Sequence, residues 1–174
     1  MKQNTIKAQI QKKLKLLESR VLSNNKLPLS VIQYDAQDII NCLNTLTRGW
    51  PTIGKEVLNV EKKIQKLLKI KNAIMLNSGG SANFLILYLL CSVYAKKKDK
   101  LNKGDEVITP AVTWSTTVSS IIQNNLVPVL VDVNLPTYDI NVELMEKAIT
   151  KKTKAIMLVH PLGHVCNMEK IIRI

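Results

Sequence analysis

Apolar residues recur every three or four positions in three stretches before residue 70, which is the pattern of amphipathic helices. The first stretch predicts a helix over residues 5–22, with lysines on its other face. A second helix is expected to begin after Asp35 as its N-cap and to stop at Gly49. A third carries Val57, Val60, Ile64, Leu67 and Leu68 on one face. Between them, the Asn-rich stretch 23–30 predicts a linker, and the Gly- and Pro-containing stretch 49–54 a shaped loop.

From residue 72 onward, short continuous apolar runs alternate with helical patterns. The runs predict strands at residues 73–76, 106–109, 127–133 and 154–160. Helices are predicted at residues 82–94, 116–123, 142–149 and 168–172. This alternation predicts an α/β fold, with a mostly parallel sheet that has helices on both faces. The helix over residues 82–94 is apolar nearly all round, and we therefore expect it to be buried.

Composition narrows the class of protein further. The chain has 174 residues, of which 46% are hydrophobic, and its three cysteines form no CxxC pair. That length suits one domain, and the cysteines indicate a reducing compartment rather than a disulfide framework. The longest apolar stretch, residues 84–95, is shorter than the roughly 20 residues that cross a bilayer. The N-terminus lacks the apolar core of a secretory signal. We therefore expect a cytoplasmic protein with no membrane partner.

The net charge of +12 raises the alternative of a basic module that binds nucleic acid. The lysines are scattered along helical stretches, and the densest run, residues 96–100, is typical of a solvated loop. We keep nucleic-acid binding as a distant alternative and expect no nucleic-acid partner. Such a module would bind DNA or RNA in a salt-sensitive way, which a titration would detect.

The most informative loop joins the strand predicted at 73–76 to the next helix. It reads Asn77-Ser78-Gly79-Gly80-Ser81. Two glycines allow a ligand to approach the backbone, and the start of a helix offers free N–H groups to a phosphate. The alternative is a turn that merely joins two elements. The six glycines match neither GxGxxG nor the P-loop pattern, which excludes both of those nucleotide folds.

A second loop, residues 109–117, carries Trp114 just beyond a predicted strand end. A flat aromatic ring there could stack on a planar ligand, or it could pack at the edge of the domain. A phosphate cradle beside an aromatic plate would suit a phosphorylated aromatic cofactor such as pyridoxal 5′-phosphate (PLP).

His160, His164 and Cys166 are the remaining cluster of potential metal ligands. Two histidines four apart would share one face of a helix, but Pro161 and Gly163 oppose a helix at that point. We therefore expect no metal site.

Four ordered blocks resemble the DegT/DnrJ/StrS-type sugar aminotransferase family. They are SGGSA at 78–82, GDEVI at 104–108, TWSTT at 113–117 and PVLVDV at 128–133. One branch is especially similar, the CDP-4-keto-6-deoxyglucose 3-dehydratases of lipopolysaccharide dideoxysugar synthesis. The similarity to that branch includes NSGGSAN at 77–83, the segment 121–139 and WPTIG at 50–54.

The resemblance implies the large domain of a type I PLP-dependent transferase. Residues 1–48 would form an N-terminal helical segment, and 49–174 an incomplete PLP-binding domain. Gly80 and Ser81 would hold the cofactor phosphate through their N–H groups, helped by the Ser81 hydroxyl. Trp114 would stack on the pyridine ring, whereas Thr52 and Gly54 would line the substrate side. Gly80 stands where the family carries a hydroxyl residue, which removes one hydrogen bond to the phosphate.

The resemblance also places the decisive chemistry outside this chain. The Schiff-base position, Lys in aminotransferases and His in the dehydratase branch, would lie beyond Ile174. The implied function is C3 dehydration of a CDP-4-keto-6-deoxyhexose with PLP or pyridoxamine 5′-phosphate (PMP). Glutamate-dependent transamination of a nucleotide sugar is the alternative. A homodimer is implied, with an iron–sulfur reductase as partner for a dehydratase, and this chain alone would be inactive.

Overall fold

The structure is a computed structural model that describes residues 2–22, 33–50 and 52–174. The predicted linker 23–30 lies outside the described residues, as does Pro51 in the predicted loop. The helices are α1 (Lys2–Leu22), α2 (Ala36–Thr47), α3 (Lys55–Leu68), α4 (Gly79–Cys91), α5 (Ser115–Gln123), α6 (Val142–Ala148) and α7 (Met168–Arg173). The strands are β1 (Glu106–Pro110), β2 (Val127–Val131) and β3 (Thr153–Ile156), and a short 3₁₀ turn spans Pro161–Gly163.

The chain forms two compact units, Met1–Met75 and Leu76–Ile174. The first contains α1, α2 and α3, which confirms the three helices predicted there. Asp35 caps α2 as expected: its carboxylate accepts the N–H groups of Gln37 and Asp38 at 2.7 and 3.0 Å. The Asp38 carboxylate in turn accepts the Asp35 N–H, which completes a capping box. The division predicted between residues 48 and 49 stays a prediction.

The second unit is built on a parallel three-stranded sheet with the order β2-β1-β3. In the register, Ile108 of β1 pairs with Val129 on one side and Ile156 on the other. The central strand is the most buried, with Val107 and Ile108 fully inaccessible. These observations confirm the predicted α/β class and the parallel sheet.

Successive residues of β1 point to opposite faces of the sheet, and each face has its own core. Val107 packs with Leu87 of α4 and Ile121 of α5. Ile108 packs with Met145 of α6 and Ile171 of α7. Because side chains alternate along a strand, one strand anchors helices on both sides. The prediction of helices on both faces is confirmed.

The prediction of a strand at residues 73–76 is wrong, because these residues pair with no strand in the described part of the chain. The Met75 N–H donates instead to the Glu61 carboxylate of α3 at 2.9 Å. Ile74 and Met75 are 73% and 49% exposed. An apolar run forms a strand only if a neighbouring strand is present to share its backbone hydrogen bonds.

The predicted burial of the apolar helix is also wrong for this structure. The helix α4 begins at Gly79 and ends at Cys91, and only Leu87 is buried in it. Ile86, Tyr88 and Leu89 remain 56%, 54% and 46% exposed. Average hydrophobicity describes a segment, whereas burial depends on the elements that cover it, and here α5 and the sheet cover one face.

Two strands are shorter than predicted: β2 ends at Val131 and β3 at Ile156. None of the described helices combines the length and the hydrophobicity needed to cross a membrane.

Adjacent isoleucines on α5 provide a matched test of the core. Ile121 is fully buried beneath the sheet, whereas Ile122 is 57% exposed. We expect Ile121→Ala to lower the free energy of unfolding by about 2–5 kcal/mol. Ile122→Ala should change it by no more than about 0.5 kcal/mol. Urea unfolding of the two variants measures the difference; equal losses would contradict the assigned orientation of α5.

Candidate functional site

Two adjoining hollows of about 370 and 440 Å³ lie between the start of α4 and the neighbouring helix α5. Ser78, Gly80 and Thr116 line both hollows, which we therefore treat together as the α4–α5 cleft. Residues 111–114 connect the carboxyl end of β1 to the start of α5. A ligand site is expected there, because open α/β sheets bind ligands beyond the carboxyl ends of their strands.

The start of α4 is organised by the hydroxyl of Ser78. Its Oγ accepts the Ser81 N–H at 3.1 Å and lies 3.1 Å from Ser81 Oγ, to which it donates. Within the described residues, the N–H groups of Gly79 and Gly80 meet no acceptor. These free donors stand at the positive end of the helix dipole and suit an anion.

Ser81 thus differs from Gly80 in what it can offer a ligand. Its N–H is already engaged by Ser78, but its hydroxyl only accepts a hydrogen bond from Ser78 and keeps its own hydrogen to donate. Gly80 offers its N–H. The predicted phosphate-binding role of both residues stays a prediction, and for Ser81 this geometry favours the hydroxyl.

Gly80 also allows α5 to approach α4 closely. A Cβ placed on Gly80 would lie 3.2 Å from Thr116 Cγ2 and 3.3 Å from Thr116 Cβ. The neighbouring Gly79 has nothing within 4 Å of the same position. A Cβ there would require Thr116 to shift by a few tenths of an ångström, so the absence of a side chain at residue 80 permits the observed spacing of the two helices.

Trp114 stands at the other side of the cleft as the N-cap residue of α5. Its side chain is 68% exposed, so it is not a core residue of this unit. Its carbonyl accepts the Thr117 N–H at 2.9 Å, and the Thr113 hydroxyl donates to Thr117 Oγ1 at 3.0 Å. These bonds fix the loop that presents the indole. Stacking on a ligand ring stays a prediction.

Asn124, just past the end of α5, is a site-supporting residue that the sequence analysis missed. Its buried side-chain amide donates to the carbonyls of Phe84 in α4 at 3.3 Å and of Ser120 at 2.8 Å. The bond ties α5 to Phe84, which lines the cleft. No sequence signal would have found it, because an Asn after a helix normally indicates only that the helix ends there.

Thr52 and Gly54 lie in the first unit, where they line a separate pocket of about 360 Å³. Trp50 shapes this pocket: its indole N–H donates to the Ile53 carbonyl at 3.0 Å, and its ring would lie 3.1 Å from a Cβ on Gly54. Their predicted role on the substrate side stays a prediction.

The same pocket carries the ion pair of Arg48 and Glu56, whose atoms are 2.7 Å apart. The hydrogen bond from the Arg48 guanidinium lowers the pKa of the Glu56 carboxyl. Both side chains are more than half exposed, so the pair contributes little to stability.

His160 and Cys166, two of the potential metal ligands, form hydrogen bonds to backbone groups. His160 Nδ1 accepts the Cys166 N–H at 3.2 Å, and the buried Cys166 thiol donates to the Val159 carbonyl at 3.1 Å. Within the described ranges, no three His, Cys, Asp or Glu side chains come close enough to hold a metal ion.

The donor set of the α4–α5 cleft fits a phosphate group. Its described lining contains hydroxyls, two side-chain amides and backbone N–H groups, with neither acidic nor basic side chains. Hydrogen bonds and two helix N-termini would therefore supply the stabilisation of the negative charge. Two of the predicted residues, Gly80 and Ser81, share this cleft with Trp114, whereas Thr52 and Gly54 belong to the other unit.

Residues 33–174 match the DegT/DnrJ/EryC1/StrS aminotransferase family. The chain belongs to this family. It is 44% identical over 126 residues to the lipopolysaccharide biosynthesis protein RfbH of Salmonella typhimurium, covering 72% of this chain and 29% of that protein. It is also 34% identical over 150 residues to a UDP-4-amino-4-deoxy-L-arabinose–oxoglutarate aminotransferase of Shewanella sediminis, covering 86% and 36%.

The solved structure of the E. coli GDP-4-keto-6-deoxy-D-mannose-3-dehydratase with bound hydrated PLP superposes on this chain with a TM-score of 0.77. The identity is 34%, and the match covers 85% of this chain and 37% of that chain. The likeness confirms the expected type I fold and the family resemblance. The chain spans about a third of the length of the relatives it matches.

The paired glycines allow the packing of α4 on α5 to be tested directly. We expect the Gly80→Ala protein to be less stable than the Gly79→Ala protein by about 1–3 kcal/mol, since only the methyl group at position 80 would press on Thr116. Gly79→Ala is the control and should be neutral or stabilising by up to about 1 kcal/mol, because its Cβ meets open space. Thermal unfolding of both variants gives the comparison; a Gly80→Ala protein as stable as Gly79→Ala would contradict the tight contact.

Proposed function

We propose that this family member is part of a PLP- or PMP-dependent enzyme of nucleotide-deoxysugar biosynthesis, of the lipopolysaccharide O-antigen type. The proposed reaction is C3 dehydration of a CDP-4-keto-6-deoxyhexose in the cytoplasm. The observation that carries the proposal is the α4–α5 cleft, a donor-lined pocket in a fold that superposes on a dehydratase with bound hydrated PLP. Family membership makes a basic nucleic-acid-binding module a poor account of the chain.

The residues of this chain would bind and orient the cofactor. The N–H groups at the start of α4, including that of Gly80, and the Ser81 hydroxyl would hold the phosphate. Trp114 would stack on the pyridine ring and fix its plane, and Thr52 with Gly54 would contact the sugar nucleotide. When bound, the cofactor supplies an electron sink for a carbanion equivalent at the substrate carbon attached to nitrogen.

The second candidate is transamination of a nucleotide sugar with glutamate. It is favoured by the family description and by the 34% identity to an oxoglutarate-dependent sugar aminotransferase. Dehydration is preferred because the sequence shares the NSGGSAN-type loop with that branch and is 38% identical over 147 residues to a GDP-4-keto-6-deoxy-D-mannose 3-dehydratase of Escherichia coli. A homodimer and, for a dehydratase, an iron–sulfur reductase partner belong to the same proposal.

The deciding experiment assays the full-length enzyme with CDP- and GDP-linked 4-keto-6-deoxyhexoses. With PMP and a reductase system, dehydration yields a sugar that has lost the C3 oxygen. With PLP and glutamate, transamination yields an amino sugar and 2-oxoglutarate. Mass spectrometry separates the two products, and the nucleotide that reacts identifies the substrate. Absence of turnover under both conditions would contradict the proposal.

Trp114 offers a test of cofactor binding that is separable from folding. In the full-length enzyme, we expect Trp114→Ala to weaken cofactor retention, because ring stacking contributes about 0.5–1.5 kcal/mol beyond buried area. The melting temperature of the apoprotein should change little, since the side chain is 68% exposed. Cofactor absorbance after dialysis is the measurement. Unchanged retention with a large fall in melting temperature would show that Trp114 is structural.

The 174-residue chain expressed alone should neither turn over substrate nor retain cofactor. In this proposal, it supplies the phosphate and ring contacts, but not the Lys or His that stands at the cofactor aldehyde. The test is gel filtration after incubation with PLP, followed by a search for a retained absorbance band. A stoichiometric band that borohydride fixes onto one lysine of this chain would contradict this division of the site.

A further inference from the structure

Thr116 fills the space that a side chain on Gly80 would occupy. A Cβ on Gly80 would lie 3.2 Å from Thr116 Cγ2 and 3.7 Å from Thr116 Oγ1. The hydroxyl of Thr116 therefore stands close to where a Ser or Thr at position 80 would start its own side chain. Thr116 also lines both hollows of the α4–α5 cleft, together with Ser78 and Gly80.

The Thr116 hydroxyl has no hydrogen-bond partner among the described residues, and its position explains why. A Ser or Thr inside a helix usually donates to the carbonyl one turn earlier, as Ser120 does to the Thr116 carbonyl at 2.6 Å. Thr116 is the second residue of α5, so the residues one turn before it precede the helix. Its hydroxyl is left free to serve a ligand in the cleft.

We infer that Thr116 is a further phosphate-binding residue, whose hydroxyl donates to the cofactor phosphate from α5. It replaces a hydroxyl that position 80 of α4 lacks. This inference rests on the proposed function, since it assumes that the cofactor phosphate occupies the α4–α5 cleft. It adds a second helix to the phosphate site and makes residues 80 and 116 an interdependent pair: a side chain at one requires a smaller one at the other.

The test measures the dissociation constant of PMP for the full-length apoenzyme by equilibrium dialysis. PMP carries no aldehyde and cannot react with the many surface lysines. Thr116→Val, which keeps the shape of the side chain but removes the hydroxyl, should weaken PMP binding by roughly ten- to a hundredfold, as loss of a hydrogen bond to a charged group implies. Thr116→Ser should bind nearly as well as the wild type. Thr47→Val is the matched control, because Thr47 lies at the end of α2 in the first unit.

Pyridoxamine without phosphate shows whether the effect belongs to the phosphate. Its dissociation constant should be the same for the wild type and Thr116→Val. The ³¹P resonance of bound PMP should shift in Thr116→Val and return towards its wild-type position in Thr116→Ser. The double variant Gly80→Ser with Thr116→Ala places the hydroxyl on α4 and should recover most of the affinity that Thr116→Ala alone loses.

Two failures are distinguishable. If folded Thr116→Val binds PMP as tightly as the wild type, the inference is overturned while the proposed function stands. If the wild type binds PMP no better than pyridoxamine, the phosphate site itself, and with it the proposed function, is overturned. Should Thr116→Val not fold, Thr116→Ala against Thr116→Ser makes the same comparison, and equal affinities would again overturn the inference.

Discussion

The close approach of α4 to α5 is the contact on which the candidate site depends. It exists because residue 80 has no Cβ, so that Thr116 can pack against the backbone of the opposite helix. The Asn124 amide links the same two helices a second time, by donating to the Phe84 carbonyl. Both helices then present their first turns to one cleft. A shift of this packing would separate the N–H groups of α4 from the Trp114 side of the site.

The electrostatics of the cleft differ from those of the chain as a whole. The chain carries a net charge of +12, yet the described lining of the cleft contains no charged side chain. An anion there would be stabilised by oriented dipoles and hydroxyls that are fixed before binding. Such groups cost little reorganisation, whereas lysines would lose rotamer freedom when they closed on a ligand. The basic composition therefore gives no information about this site.

The sequence predicts features with local causes better than features that depend on distant contacts. Asp35 is predictable as a cap because it directly precedes a helical pattern of apolar residues, and the Ser78–Ser81 loop because its glycines precede another. Trp114 was found because it follows a strand end. The contact of Gly80 with Thr116 and the bond of Asn124 to Phe84 join residues 36 and 40 positions apart, which periodicity does not report. The strand predicted at 73–76 failed for the same reason, since a strand requires a distant partner.

The binding contacts of this chain are of a kind that both proposed reactions need. Proteins described as a dehydratase and as an aminotransferase both match this region. Contacts to a phosphate and to one ring face are unchanged as substrate is converted to product, so they fix the cofactor without lowering the barrier of one reaction relative to the other. Reaction type must therefore depend on groups that reach the reacting carbon and its proton. In this proposal, the α4–α5 cleft supplies the shared platform on which those groups act.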